Sequence, residues 1–166
     1  MNRNQIKGEF MFNFVSHNEN ETKKIANFLA SKLEIGDIIV LSGDLGSGKT
    51  KFTEGFLSYW DLDDEISSPT FTIVNEHRKE NTNIYHLDVY RLEDMGEFYA
   101  IGGVEYFTNG ICVIEWGELI EDILPPNYIK INFSKDENDD SIRYLDFNAY
   151  GENLTNILKE LEIWKF

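Results

Sequence analysis

Cysteine and long apolar runs are scarce in this sequence. The one cysteine, Cys112, cannot form an internal disulfide, and its apolar neighbours predict a small buried side chain. No segment approaches the roughly 20 apolar residues that a membrane-spanning helix needs. The opening segment, MNRNQIKGEF, contains no apolar stretch long enough for a secretion signal. These absences argue against a disulfide scaffold and favour a soluble protein, which we expect in the cytoplasm.

Positive charge is also in short supply. The chain has 15 Lys and Arg against 30 Asp and Glu, which gives a formal net charge of −15 at pH 7. Such a surface repels polyanions unless basic side chains are gathered in one place, and the sequence has no Lys/Arg cluster. We therefore expect no autonomous binding to nucleic acid. A small anion held by backbone dipoles and a metal ion is not excluded by the global charge.

The chain is long enough to bury a substantial core. Its 166 residues include 42% hydrophobic and 14% aromatic side chains, which is typical of a folded globule. We find no internal repeat and no linker-like segment, so the sequence predicts one domain over residues 1–166. Residues 1–8 are polar and are expected to be loose, and residues 151–166 are predicted to contain a final helix.

A glycine-rich segment follows a predicted buried strand at 37–42 and precedes a predicted helix at 51–60. This order directs free backbone N–H groups and a helix N-terminus at one point, where a phosphate can bind. Lys49 can reach the β- and γ-phosphates of a nucleotide, and the Thr50 hydroxyl can bind Mg²⁺. A chance glycine-rich turn is the alternative. The pattern G-x-x-x-x-G-K-[ST] is satisfied by Gly43, Gly48, Lys49 and Thr50.

Strands and helices are mixed along the chain, which predicts a three-layer α/β fold. Two strand pairs are expected to form hairpins, so the sheet should be mixed and partly antiparallel. The first helix has two possible capping boxes, Ser16 with Glu19 and Asn18 with Glu21. Apart from the strand before the phosphate loop, strands are predicted at 10–15, 72–77, 83–90, 111–114, 128–133 and 141–147. A helix that is bent at a glycine pair is predicted at 93–107.

Glu115 ends the apolar strand 111–114 and is a candidate metal ligand. In open α/β sheets, ligands bind at the carboxyl ends of the strands. A phosphate loop also needs a carboxylate to help hold Mg²⁺ and a group to orient the attacking water or acceptor. The alternative is an acidic side chain that faces solvent at the end of a strand.

Three functional side chains, His86, Asp88 and Tyr90, alternate with apolar residues and are predicted to share one strand face. This grouping indicates either a functional site or an exposed face with a local ion pair. Ser68-Pro69-Thr70 is either a simple entry to a strand or a segment that senses the γ-phosphate. Trp116 is predicted to lie in the core or against a nucleotide.

Four motifs together resemble the bacterial tRNA threonylcarbamoyladenosine biosynthesis ATPase family, TsaE. The resemblance runs from about residue 16 to about residue 125 and implies a P-loop NTPase-like fold. The phosphate loop alone is generic, whereas the combination in this order and spacing is specific. The motifs are G-D-L-G-S-G-K-T at 43–50, S-P-T-F at 68–71, H-L-D-V-Y-R at 86–91 and E-W at 115–116.

The resemblance implies a Mg²⁺-dependent ATPase in tRNA modification. Such a protein assists the threonylcarbamoyl-transferase complex that forms N6-threonylcarbamoyladenosine at position 37 of tRNAs reading ANN codons. The implied partners are a transferase subunit and its paralogous partner subunit, of the TsaD and TsaB types. tRNA would be contacted only indirectly, through the complex, and ATP hydrolysis would be slow without the partners. The implied cofactors are ATP and Mg²⁺, with no membrane involvement.

The resemblance also implies roles for individual residues. Thr50 and Glu115 would bind Mg²⁺, and Asp88 would support the metal or orient the attacking water. Thr70 would be needed for activity together with Asp88 and Glu115. Ser47 stands where the family often has Ala, a change expected to matter little because that side chain points away from the phosphates. The implied nucleotide-binding residues are Glu19, Gly43, Gly46, Ser47, Gly48, Lys49, Thr50, Lys51 and Trp116.

Two other function classes use the same loop. A small-molecule kinase would need an acceptor pocket and usually an Arg-bearing lid, yet Arg143 is the only arginine after Glu115. A non-catalytic nucleotide-sensing scaffold would not need the complete set of Lys49, Thr50, Asp88 and Glu115. The sequence therefore favours an ATPase over both.

Overall fold

The computed structural model describes residues 10–66 and 73–164. Short 3-10 helices lie at Asp63–Glu65 and Gly117–Ile123. The strands and helices, in chain order, are β1 (Phe10–Ser16), α1 (Glu19–Ala30), β2 (Ile38–Ser42), α2 (Lys49–Ser58), β3 (Val74–Lys79), β4 (Thr82–Asp88), α3 (Met95–Ala100), α4 (Gly103–Asn109), β5 (Ile111–Glu115), β6 (Tyr128–Lys135), β7 (Arg143–Tyr150) and α5 (Glu152–Ile163).

The strands form one seven-stranded sheet in the order β1-β7-β6-β2-β5-β4-β3. The central strand β2 pairs in parallel with both β5 and β6, and β4 pairs in parallel with β5. The pairs β3–β4, β6–β7 and β1–β7 are antiparallel. The predicted mixed sheet and both predicted hairpins are therefore confirmed.

Helices cover both faces of the sheet, as a three-layer fold requires. On one face, Leu41 of β2 belongs to a core shared with α1, α2 and α5. On the other face, Val40 packs in a second core with Phe98 of α3 and Phe107 of α4. All five residues of β2 are buried, which explains why its sequence is almost wholly apolar. Cys112 is buried in the second core, as predicted, and burial raises the pKa of its thiol to about 12.

Local signals decide where the helices begin. Helix α1 starts after Asn18, whose side-chain oxygen accepts a hydrogen bond from the Glu21 N–H at 3.0 Å. The second of the two predicted capping registers is therefore the one that forms. Helix α2 starts at Lys49, two residues earlier than predicted, because Gly48 at φ 112° leads the chain directly into the first helical turn. In the described part of the chain, no helix is long and apolar enough to span a membrane.

Strand β4 is shorter than predicted and ends at Asp88. Beyond it, the Tyr90 N–H donates to the Asp88 carboxylate at 3.0 Å, and the Leu92 N–H donates to the Val89 carbonyl at 3.1 Å. These bonds turn the chain away from the sheet. His86 and Asp88 share one face of the strand, as predicted, whereas Tyr90 lies in the turn and is exposed.

Candidate functional site

The glycine-rich segment forms a tight loop between β2 and α2. Three of its glycines have positive φ angles, including Gly43 at 145°. A Cβ atom at Gly43 would lie 2.6 Å from the carbonyl oxygen of Phe133, so only glycine fits this close approach to β6. The loop therefore holds its backbone beside the N-terminus of α2, in the arrangement that binds phosphate groups.

Lys49 is folded back onto this loop. Its side chain is buried, and Nζ donates a hydrogen bond to the carbonyl oxygen of Gly43. The same nitrogen lies 4.6 Å from the centre of the Trp116 ring, within range of a cation–π interaction. The ammonium group is thus held at the loop by a carbonyl and an aromatic face. A phosphate oxygen would compete with both contacts.

Two carboxylates lie at the carboxyl ends of neighbouring parallel strands. Asp88 of β4 and Glu115 of β5 are opposite each other in the strand register. Glu115 Oε2 accepts a hydrogen bond from Nε2 of buried His86 at 2.8 Å. Parallel strands bring their carboxyl ends to one edge of the sheet, which is why residues from distant parts of the sequence meet here.

Burial raises the pKa of Asp88 above its ordinary range, and the negative charge of Glu115 adds to this effect. The Tyr90 N–H and the nearby His86 and Lys49 oppose the shift. Burial therefore disfavours the ionised form of the Asp88 side chain. A cation bound between these groups would offset that charge.

Trp116 is positioned by an unusual backbone conformation. Its φ of 61° lies in the left-handed region, where the chain turns out of β5. Its ring packs against Tyr90, with 4.9 Å between the ring centres, while Lys49 lies over the indole. Trp116 packs against the second core and also lines the cleft.

Glu19 and Lys51 meet at the N-terminal ends of α1 and α2. Lys51 Nζ lies 3.8 Å from an oxygen of Glu19 and 3.3 Å from an oxygen of Glu54. Lys51 is partly exposed, so this contact is screened by solvent and contributes little to stability. These side chains form one wall of the space above the loop.

An open cleft of about 820 Å³ lies above the loop and brings most of the predicted site residues together. Gly43 and Ser47 do not line it. The Ser47 side chain is buried, and its hydroxyl has no hydrogen-bond partner within the described residues, so it points away from the cleft as predicted. Thr70 lies outside the described residues. The predicted site residues that line the cleft are Glu19, Gly46, Gly48, Lys49, Thr50, Lys51, Asp88, Glu115 and Trp116.

Two cations at the site were missed by the sequence analysis. Arg143 lines the cleft, and its Cγ lies 3.6 Å from where a Cβ of Gly48 would be. Lys135 Nζ lies 3.2 Å from the corresponding position at Gly46. The two residues are opposite each other where β6 and β7 pair. The hairpin was predicted, but nothing local indicated that its turn end lies beside the phosphate loop.

The side chains present fit a magnesium ion that is bound together with a nucleotide. Among residues 10–66 and 73–164, no group of three or more His, Cys, Asp or Glu residues is gathered for a metal. Mg²⁺ in phosphate sites usually takes only one or two protein oxygens and completes its shell with phosphate and water. Thr50 and Glu115 both line the cleft and offer a set of that size.

The fold and the cleft define a protein with a P-loop NTPase-like fold. The family model described as "Threonylcarbamoyl adenosine biosynthesis protein TsaE" matches residues 16–144. The chain belongs to the TsaE family.

Individual relatives agree with this assignment. The chain is 40% identical over 145 residues to "tRNA threonylcarbamoyladenosine biosynthesis protein TsaE" of Bacillus subtilis, which covers 87% of this chain and 89% of that protein. A protein of the same name from Rickettsia felis is 40% identical over 126 residues, covering 75% of this chain and 74% of the relative. The crystal structure of Bacillus subtilis YdiB superposes with a TM-score of 0.72 at 33% identity, covering 92% and 95% of the two chains.

Proposed function

We propose that the protein is a Mg²⁺-dependent ATPase that assists a threonylcarbamoyl-transferase complex in forming N6-threonylcarbamoyladenosine at position 37 of tRNAs reading ANN codons. The observation that carries the proposal is the convergence of Lys49, Thr50, Asp88 and Glu115 on one cleft beside a phosphate loop. Family membership and the names of the relatives support the role in tRNA modification.

The backbone and Lys49 bind the phosphates in this proposal. The N–H groups of the loop and of the first turn of α2 face the β- and γ-phosphates. Lys49 exchanges the Gly43 carbonyl for a phosphate oxygen and stabilises the charge that develops during transfer. Thr50 and Glu115 would hold Mg²⁺, which neutralises phosphate charge when it is bound. Glu19, at the start of α1 on the wall that it forms with Lys51, is proposed to lie near the adenosine.

Asp88 is assigned to the attacking water or to the support of the metal. Its place opposite Glu115 at the cleft suits either role. A raised pKa suits a carboxylate that accepts a proton from the attacking water. Thr70 is proposed to contribute to activity on the basis of the family resemblance alone. Trp116 lines the cleft beside Lys49, where its ring would limit the access of water to the phosphates.

We propose that hydrolysis is slow until partner subunits bind. An arginine finger can raise the rate of phosphoryl transfer by about 10³–10⁵. The candidate within this cleft, Arg143, donates from Nη1 to the carbonyl oxygens of Asp140 and Ile142, so its own hairpin holds it. A transferase subunit of the TsaD type and its paralogous TsaB-type subunit are the proposed activators. The net charge of −15 suits a helper whose partners hold the tRNA.

The deciding experiment is an ATPase assay with and without the TsaD–TsaB-type pair, with Lys49→Ala as the control variant. Hydrolysis that the pair stimulates supports the proposal. Transfer of the γ-phosphate to a metabolite would instead identify a small-molecule kinase. Nucleotide binding without turnover under either condition would identify a sensing scaffold.

A further inference from the structure

His86 is a buried polar residue next to the proposed metal site, and the mechanism above gives it no role. It lies on β4 with 3% of its surface exposed. Its Nε2 lies 2.8 Å from Glu115 Oε2, and the Glu115 side chain is itself only 12% exposed. A hydrogen bond between two such shielded groups fixes the orientation of both side chains.

We propose that His86 is a positioning residue that orients the Glu115 carboxylate for Mg²⁺. Its Nε2–H donor occupies Oε2 and leaves Oε1 as the carboxylate oxygen free of this bond. A carboxylate that is held in this way does not have to give up rotational freedom when it binds a cation. Residues that hydrogen-bond a metal ligand commonly change metal affinity by about 10–100-fold when they are replaced.

The geometry does not favour His86 as a general acid or base. Nε2 is committed to Glu115, and Nδ1 is buried without a partner among the described residues. A proton on Nδ1 would be a buried donor without an acceptor, whereas an unprotonated Nδ1 leaves only a lone pair unmatched. The arrangement therefore fits the tautomer that carries its proton on Nε2 and donates it to Glu115.

The chain contains a matched control. His77 of β3 is also buried, at 6% exposure, and its Nδ1 lies 3.3 Å from Glu65 Oε2. Its other ring nitrogen, Nε2, is buried without a partner among the described residues, as Nδ1 of His86 is. His77 does not line the cleft. Replacing it tests what the loss of a buried, glutamate-paired histidine does away from the proposed metal site.

The test compares four variants of the full chain by their affinity for Mn²⁺, measured by electron paramagnetic resonance with a non-hydrolysable ATP analogue. His86→Leu removes the donor and should weaken Mn²⁺ binding about 10–100-fold. His86→Gln places an amide donor near the position of Nε2 and should stay within a few-fold of the original. His86→Asn is too short to reach Glu115 and should behave like His86→Leu. His77→Leu should leave Mn²⁺ affinity unchanged.

Analogue binding without metal serves as the second measurement. It should be the same in the original protein and in all four variants, because His86 is proposed to act only through the metal ligand. If His86→Leu does not fold, as judged by circular dichroism, the Gln and Asn variants carry the comparison. Unchanged Mn²⁺ affinity in the folded Leu or Asn variant, or an equal loss in the Gln variant, overturns the proposal.

A double variant separates positioning from an independent effect. Glu115→Ala should weaken Mn²⁺ binding, and adding His86→Leu to it should cause no further loss, since His86 acts through Glu115. Independent losses that multiply would overturn the proposal. The inference rests on the proposed Mg²⁺-dependent function. Absence of Mn²⁺ binding by the unchanged protein would refute that function. Mn²⁺ affinity that does not change when His86 is replaced would refute only the positioning role.

Discussion

Lys49 and Trp116 lie against each other in the cleft, with Nζ 4.6 Å from the centre of the indole ring. The loop carbonyl of Gly43 accepts a hydrogen bond from the same ammonium group. These two contacts hold the lysine at the glycine-rich loop. Under the proposed function, its movement toward a phosphate would be a short exchange of partners and not a search by a solvated side chain.

Lys49→Ala should weaken ATP binding and reduce partner-stimulated hydrolysis by about 100-fold or more, because it removes a preorganised charge aimed at the phosphates. The measurement is a titration of nucleotide followed by turnover at saturating ATP. Normal turnover in this variant would contradict the assignment of the phosphate loop.

Thr50→Ala and Glu115→Ala should each impair Mg²⁺-dependent turnover, and their losses should not multiply in the double variant. If both side chains bind one ion, the double variant should be little worse than the more damaged single variant. Hydrolysis rates over a Mg²⁺ titration give the comparison. Losses that multiply would indicate that Glu115 is a structural acid at the end of β5.

Asp88→Asn should keep nucleotide binding and lose most hydrolysis, because it removes one charge and little volume. The Asn oxygen can still accept the bond from the Tyr90 N–H, so the turn after β4 should remain. Steady-state kinetics separate the two proposed roles. A loss of ATP affinity as large as the loss of rate would assign Asp88 to the metal in the ground state.

The same substitution should change how stability depends on pH. The pKa of Asp88 is raised above its ordinary 3.8, so the folded protein binds a proton there more tightly than the unfolded chain does. Stability from this group is therefore lost as the pH rises from 3.8 through the folded pKa. Asp88→Asn should be more stable than the original at pH 7, and denaturant titrations should show this advantage shrinking toward pH 4. An advantage that grows in acid would contradict the sign of the shift.

Ser47→Ala should raise the free energy of unfolding by up to about 1 kcal/mol, since it removes a buried hydroxyl without a partner. Nucleotide affinity should not change, because the side chain does not line the cleft. Ser16→Ala is the matched control. Its buried hydroxyl bonds to the Asn18 carbonyl and the Thr22 hydroxyl, so its loss should destabilise the protein by about 1 kcal/mol. Denaturant titration measures the free energy of unfolding of both variants. Equal destabilisation by the two substitutions would refute the difference between the unpaired and the paired hydroxyl.

The protein alone should not bind tRNA at near-physiological salt. With a net charge of −15, it has few cations to replace the counterions of the phosphate backbone. Gel-shift titrations should show a complex only when the transferase pair is present. A tight complex with the lone protein that weakens steeply with salt would reveal a basic face and would indicate direct tRNA recognition.

Local sequence patterns predicted the structural features that depend on residues close together in the chain. The phosphate loop, the Asn18 cap, both hairpins and the break near Gly102 all follow from residues close together in the chain. The end of β4 was misplaced by two residues, because the turn depends on a hydrogen bond from the Tyr90 N–H to Asp88 that strand alternation does not indicate. Residue propensities predict that a strand or helix forms, whereas side-chain hydrogen bonds decide where it ends.

Contacts between distant strands were the part that the sequence could not supply. The order of the strands puts His86 beside Glu115 and brings Arg143 over the phosphate loop. Neither contact follows from periodicity, since each depends on which strands become neighbours. The turn that brings the Trp116 ring beneath Lys49 needs a left-handed backbone at Trp116 itself. Sequence patterns do not predict that conformation at a bulky residue.

Two strands from distant parts of the chain, β1 and β7, pair beside the cleft. Ser16 and Arg143 face each other in the pairing of β1 with β7, close to the start of α1 at Glu19. During synthesis, the phosphate loop emerges long before β7, which contributes Arg143 to the cleft. Non-local pairing of this kind forms late in folding. A nascent chain that stops before β7 carries the whole glycine-rich loop without the finished cleft, so under the proposed function ATP binding would require β7 to have joined the sheet.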